Sequence, residues 1–486
     1  MQQTLNKPQE LYQTRYFVTF MLFLGMANAY VMRTNMSVAI VAMVNNTAIT
    51  ETSMEELESE CPNVNLSAIT ITQDGPYVWS SQLQGYILAS FFYGYVMTQV
   101  PFGVLAKRYG ALNFLGYGML LNSLVAFLVP LATRLYGVWG LCVARFIQGL
   151  GEGPIVPCTH ALLAKWIPPN ERSRMGAAVY SGAQFGTIIS MPISGILAEH
   201  GGWSLIFYVF GFAATIWCMA FLLWVYEEPN THPSIRANEK EYINNSIWGS
   251  ESQETSKLPL KAIMKSLPFY GILFAHMGQN YGYETLLTEL PTYMKQVLRF
   301  SLKSNGFYSS LPYLCMWLFS LFIAVVADWM ISSQRFSIST TRKLMNSIGQ
   351  YGPGIALATA SFTGCNRVLT LSILSLGVGL NGAIYSGFKI NHLDIAPHYA
   401  GFLMAVTNCT ANFVGLFAPI VSGHLVHNEP TIANWRMVFL VATVIYFAGA
   451  TVFNVLAKAE RQTWDSFSNN NNDDDDKDIN FGEKVK

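Results

Sequence analysis

The chain has 486 residues, of which 51% are hydrophobic and only 12% charged, with a formal net charge of zero. A soluble domain carries roughly 25% charged residues. The composition therefore excludes an ordinary soluble enzyme, and the even charge balance offers nucleic acid nothing to bind.

Apolar runs long enough to cross a bilayer, which takes about 20 residues, recur along the whole sequence. Twelve are expected: 16–43, 80–104, 111–133, 138–162, 175–197, 203–226, 268–290, 307–328, 344–362, 368–388, 400–422 and 436–457. The first follows a polar stretch, "MQQTLNKPQELYQT", and is too long for a removable leader, so residues 1–15 form a tail outside the membrane. An even number of spans puts both termini on one side. The positive-inside rule makes that side cytoplasmic, since most of the 29 basic residues, among them Lys107, Arg108, Arg172 and Lys343, then fall on cytoplasmic loops.

The loop after the first span fits this orientation. From Thr34 to Ser81 it has no Lys or Arg, and it holds two N-x-S/T sequons, at Asn45 and Asn65. These read as glycan acceptors on an outer loop of 45–79, with Asn65 the better placed because Asn45 lies close to the membrane. Of seven cysteines, Cys61 and Cys365 are expected on the outer side. Two unpaired thiols are the expectation there, with a Cys61–Cys365 bridge as the alternative. The acidic, low-complexity end, within 458–486, reads as a disordered cytoplasmic tail.

A cytoplasmic linker over 227–266 separates six spans (16–226) from six (267–457), and each half has a basic loop after its second span. Weak internal symmetry of this kind marks a transporter with paired halves and a site between them at the bilayer midplane. The fold class expected is an all-α membrane protein of twelve transmembrane helices in two six-helix halves.

The fourth span carries "RFIQGLGEGPIVP", with Arg145, Gln148 and Glu152 at i, i+3 and i+7 and so on one helical face. Arg145 and Glu152 are two turns apart, about 10 Å along the axis, too far for an easy direct ion pair. A charge in mid-membrane usually faces a partner or a water-filled cavity. Gly149, Gly151 and Gly153 allow a neighbouring helix to approach closely, and Pro154 and Pro157 break the ladder beyond. Arg33, in the first span, is a second intramembrane cation. Two guanidiniums in different spans of one half suggest an anion site, because their donor forks suit carboxylate or phosphate. The alternative for each arginine is a strut that ties helices together. Glu152 is then the natural proton carrier: an anion that neutralises the arginines favours its protonation, which makes substrate and proton bind cooperatively.

"RFIQGLGEGPIVPCTHALLAKWIPPNERSRM" resembles the fourth-span signature of the anion:cation symporters, the branch of the major facilitator superfamily that includes sodium-dependent phosphate cotransporters, sialin and the vesicular glutamate transporters. The resemblance runs almost end to end, through "RTNMSVAIVAMV", "SFFYGYVMTQVPFG", "GWSLIFYVFG", "TELPTYMKQVL" and "SGFKINHLDIAPHYAGFLMAVTNCTANFVGLFAPIVSG", and is nearest to the insect-type inorganic phosphate cotransporters. It implies an alternating-access carrier of inorganic or organic anions, with Na+ or H+ as the co-transported ion and no further cofactor or metal. It implies substrate-binding roles for Arg33, Arg145 and the cavity tyrosine Tyr95, and proton coupling for Glu152.

The departures from the family pattern are Leu88 and Gln279, where the glutamate transporters have a histidine and an arginine, and Gln148, where sialin has an acid. Lys107 stands where an acid is usual in the loop after the second span, while Asp328 keeps the acid of the second half. Glu284 stands where a tyrosine is more common, either as a cavity acid or reaching toward the outer face. Glu284, Gln148 and Asp328 are therefore candidate cavity or gate residues. His276 reads as a satisfied polar group, and His392 and Asp394 as a cytoplasmic turn or gate. No enzymatic constellation, selectivity filter or P-loop is present in the sequence. The expectation is a secondary active transporter of small anions, acting as a monomer in the plasma membrane. A proton-coupled carboxylate carrier of a vesicle or lysosome and a transporter-like receptor that does not move its ligand are the alternatives.

Overall fold

The computed structural model describes residues 13–45, 75–248, 259–396, 399–427 and 431–465. Asn65, Cys61 and the acidic tail from residue 466 onward lie outside them, as does the side chain of Lys107. Asn45 is the last described residue before the break, and its backbone N–H donates to the Tyr77 carbonyl.

The described chain is almost wholly helical. Helix α1 (Thr14–Met43) runs from what we term the near end of the bundle to the far end, and α2 (Ser81–Tyr109) returns. Helix α3 (Ala111–Glu152) is two spans in one, folded back at Gly137, whose φ of 58° and ψ of −135° few residues other than glycine adopt. Helix α4 (Ile155–Trp166) continues its second arm, and α5 (Pro169–Gly201) and α6 (Trp203–Trp224) complete the first half. Two short helices, α7 (Ala237–Trp248) and α8 (Leu260–Ile263), lie in the linker. The second half comprises α9 (Leu267–Gln296), α10 (Leu302–Ser332), α11 (Ile338–Ala360), α12 (Arg367–Asn381), α13 (Phe388–Ile395), α14 (Ala400–Gly415), α15 (Phe417–Leu425) and α16 (Ile432–Leu456). A 3-10 turn joins α12 to α13, and Leu416 alone separates α14 from α15.

Helix starts are fixed by local chemistry. Ser80, Ser301, Ser337, Asn366 and Thr431 each accept a hydrogen bond from the backbone N–H three residues on, satisfying donors that a helix leaves unpaired. The start of α3 is capped from a distance: Glu227 accepts from the N–H groups of Ala111 (3.0 Å) and Leu112 (2.7 Å) while pairing with Lys165 (2.8 Å). That one carboxylate ties three elements at the near end of the first half. Arg342 does the like in the second half, holding Asp394 through Nε at 2.8 Å and Nη2 at 3.3 Å.

By length and composition, seven described segments are apolar enough to cross a membrane, one of them the double-length Ala111–Trp166. The long helices α2, α5, α9 and α11 fall below that mark. Each contributes buried polar side chains to the interior, such as Gln84 and Gln99, Gln184 and Thr187, Asn280 and Glu284, and Asn346 and Gln350. They are amphipathic inward, which is why mean hydropathy undercounts them.

Within the first half, α1 packs on α5 and α6, and α2 on α3. Within the second, α9 packs on α16 and α14, and α10 on α12. The halves meet through α2 against α15, α5 against α10, and α1 against α9. The contacts that join them gather at the midplane and far end: His424 takes hydrogen bonds with Tyr86 (2.9 Å) and Gln82 (3.2 Å), and Val38 and Met191 sit in one apolar cluster with Leu287, Leu290 and Met294.

Cys365 is disulfide-bonded, so the expectation of an unpaired thiol there is corrected. Five other cysteines are free. The outer thiol was misjudged because sequence spacing says nothing of how near two loops lie.

Glycine sets the closest contact of the first half. A Cβ on Gly149 would strike the Phe91 carbonyl, and one on Gly94 the Phe146 carbonyl, so α2 and α3 touch backbone to backbone. Gly149→Val should force these helices apart at a cost of about 1–3 kcal/mol. A lower Tm of the detergent-purified protein would show it, and an unchanged Tm would refute the contact.

Candidate functional site

The helix contacts just described bring Arg33, Tyr95, Arg145 and Glu284 to one place at the midplane. Arg33 comes from α1, and its guanidinium lies within 4.7 to 5.8 Å of the ring centres of Phe92, Tyr95, Tyr30 and Phe91. Arg145, on α3, lies 4.8 Å from the ring of Phe91. Aromatic faces attract a desolvated cation. Four rings around one guanidinium replace part of the water it has lost.

The two arginines differ in their hydrogen bonding. Arg145 donates from Nη1 to the Met32 carbonyl at 3.2 Å and to Gln148 Oε1 at 3.1 Å, and from Nη2 to the Arg33 carbonyl at 3.3 Å. It clamps α3 to α1 with its Nη groups, while its Nε is left without a partner. Arg33 instead reaches across to the other half. Its Nη2 pairs with Glu284 Oε1 of α9 at 2.5 Å and lies 3.4 Å from Asn412 Oδ1 of α14. Glu284 is thus a cavity acid rather than a residue turned to the far face.

Glu152 is buried and takes its hydrogen bond from Asn122 Nδ2 at 3.1 Å. Gln148 Nε2 donates to the Asn122 carbonyl at 3.4 Å. A continuous polar chain therefore runs Glu284, Arg33, Arg145, Gln148, Asn122, Glu152. As the spacing led us to expect, Arg145 and Glu152 make no direct ion pair among the described contacts; the link between them passes through Gln148 and the backbone carbonyl and side-chain amide of Asn122.

Along this chain the buried polar atoms without a hydrogen-bond partner include Arg33 Nε, Arg145 Nε, Glu284 Oε2 and Asn122 Oδ1; the first three belong to residues of one small cavity. With Ser37, Leu88, Phe91, Phe92, Leu287 and Thr288 those three residues line a cavity of only about 10 Å³, about what one water needs. Leu88, one of the family departures, thus borders the site. Gln279, the other, lies 3.4 Å from Asn381 Oδ1 within the second half. Asp328 is exposed toward the near end of α10 and takes no part.

Sequence reasoning missed Asn122 and Asn412. Both are amides inside apolar helices, and an intramembrane amide is itself the signal that could have found them.

A second polar cluster lies in the second half. His276, on α9, is eight residues before Glu284, about 12 Å along the helix. Its Nδ1 is 3.1 Å from Thr407 Oγ1, which is 2.9 Å from His392 Nε2. Lys389 Nζ stands 3.5 Å from His276 Nε2, and His392 Nδ1 3.2 Å from the Lys389 carbonyl. An ammonium only donates. The bonds then run one way round: Lys389 to His276, to Thr407, to His392 and back to the Lys389 backbone. His276 is a satisfied polar group, as its isolation in an apolar span suggested. Thr407→Val should leave two buried ring nitrogens unpaired and cost about 1–3 kcal/mol, read as a lower Tm; an unchanged Tm would mean the ring is not closed as described.

Comparison with known proteins bears on what such a site serves. The family model described as Major Facilitator Superfamily matches residues 19–419. The chain is 68% identical over 466 residues, covering 95% of it and 88% of the relative, to a Drosophila melanogaster protein named "Putative inorganic phosphate cotransporter". It is 40% identical to human sialin, covering 93% and 90% of the two chains, and 34% identical to human vesicular glutamate transporter 2, covering 93% and 75%. Among solved structures it resembles a bacterial homolog of the human lysosomal transporter Spinster in an inward-facing, unoccupied conformation. The TM-score is 0.66 at 12% identity, covering 93% of this chain and 97% of that one. A D-xylose-proton symporter has a TM-score of 0.57 at 15% identity, covering 91% and 98%. These two share the fold.

Proposed function

Since the chain belongs to the major facilitator superfamily, and within it to the anion:cation symporter group, we propose that it moves a small anion through a midplane site built on Arg33 and Arg145. It is an integral membrane protein and a secondary active anion transporter, not an enzyme. The observation that carries the site is the meeting of two buried guanidiniums, both with unpartnered Nε–H donors, at the contact between the halves. In a medium without water, donors left over in this way are capacity for an anionic ligand.

The near end is the cytoplasmic end in this reading, which the placement of the basic residues supports. Contacts between the halves at the far end then close the outer side, and the carrier faces inward. Rocking of the halves about the site exchanges that closure for one at the near end. Tyr95 lines the site and Gln148 joins Arg145 to Glu152, a buried acid that makes transport sensitive to pH where sodium drives it and carries the coupling proton in the proton-coupled reading below. Asp328, exposed toward the near end of α10, is a gate residue at that end and not a cavity residue. The glycan acceptor is Asn65, with Asn45 second.

Inorganic phosphate is the substrate favoured, because the relative 68% identical over nearly the whole chain carries that name. The second reading is a proton-coupled carboxylate carrier of a vesicle or lysosome, supported by the likeness to sialin and by a buried acid joined to the arginines. Plasma membrane residence and a monomeric carrier accompany the first.

Uptake of labelled phosphate and labelled glutamate into proteoliposomes, with sodium and proton gradients imposed separately, decides between them. Sodium-driven phosphate uptake is expected; proton-driven glutamate uptake would establish the second reading instead. Arg33→Ala and Arg145→Ala should abolish saturable uptake in protein that still reaches the membrane, and retained uptake in either would remove that residue from the site. Glu152→Gln should flatten the pH profile of transport, and a profile like that of the wild type would dismiss its coupling role.

A further inference from the structure

Among the described residues, Glu284 is the acid that meets the proposed anion site from the opposite half, and the transport scheme leaves it without a task. We propose that Glu284 is a built-in counter-anion, which occupies the substrate's place on Arg33 in the unloaded carrier and gives it up when the transported anion binds. The inference rests on the anion-site reading and deepens it.

Four structural features converge. The Glu284 carboxylate sits on Arg33 Nη2 at 2.5 Å, with both side chains buried. The other side-chain acceptor near that nitrogen, Asn412, also belongs to the second half, so both side-chain acceptors described for Arg33 lie across the interface, while the first half offers it aromatic faces. With this pair in place the cavity between the arginines is about 10 Å³, too small for phosphate or a carboxylate. Finally, the pair is made through one oxygen: Glu284 Oε2 and Arg33 Nε are both buried without partners, so the pair lacks the two parallel bonds that strengthen many arginine–carboxylate contacts.

Electrostatics makes the two occupants exclusive. A second anion seated on Arg33 would lie within a few ångströms of the Glu284 carboxylate, and like charges at that range repel strongly in a low-dielectric site. Glu284 must therefore swing away as the anion arrives. The converse matters equally. After the anion leaves, Arg33 without Glu284 would be a bare buried cation, a state far less stable than the pair. Glu284 thus neutralises the empty site and lets the halves reorient without cargo, while competing with cargo for the same guanidinium.

The two roles separate in one experiment. Full-length protein in proteoliposomes is assayed with labelled inorganic phosphate and with labelled glutamate. Each anion is measured both as net uptake, which needs return of the empty carrier, and as equilibrium exchange, which does not. In Glu284→Gln, exchange should persist with a half-saturation concentration lower by roughly fivefold or more, the scale of typical coupling between two ligands, while net uptake falls by about tenfold or more relative to exchange. Glu284→Asp, which keeps the charge, should recover net uptake. Net uptake and exchange affinity equal to wild type in Glu284→Gln would overturn the proposal, as would loss of exchange together with net uptake, which would make Glu284 part of the binding site itself. Arg33→Ala that exchanges either anion with wild-type affinity, or a wild type that moves neither, would instead overturn the anion-site reading, and this proposal with it.

Discussion

A guanidinium cannot give up its charge, and in an apolar interior it cannot go without partners. Much of the midplane of this protein answers that constraint twice. Arg145 is answered locally, by backbone carbonyls of the neighbouring helix and by Gln148 one turn along its own. Arg33 is answered at a distance, by an acid and an amide of the opposite half and by a ring of aromatic faces. The first solution is fixed at every stage of the cycle, since its partners lie within one half. The second depends on how the halves stand to each other, and so it is the one that can respond to cargo.

Much of this was legible in the sequence, for reasons that can be named. Spans such as 16–43 and 203–226 announce themselves by length and apolarity. The glycines at 149, 151 and 153 announce a tight helix contact, and structure places a neighbouring backbone against each. Arg33 and Arg145 stand out because charge is rare in such company. What spacing along one helix does not carry is contact between helices far apart in the chain. Glu284 lies 251 residues from Arg33, and nothing local to either residue says that they pair. Asn122 and Asn412 escaped notice because an amide is a weaker anomaly in an apolar run than a charge. The inward-facing polarity of α2, α5, α9 and α11 lowers their apolar content without saying which neighbour that polarity meets.

The departures from the relatives gain a physical sense at the site. Where the glutamate transporters resemble this chain, they differ at Leu88, which borders the cavity, and at Gln279, which here serves contacts inside the second half. Glu284 adds an acid to the second-half side of the site, facing the two arginines of the first half.

Because α2 and α3 touch through bare backbone at Gly94 and Gly149, that pair lacks the soft layer of side chains that elsewhere cushions helices against one another, while Arg145 ties α3 to α1 through its side chain. Close-packed contacts transmit strain instead of absorbing it, so the face of the first half that carries the two arginines is its least compliant part.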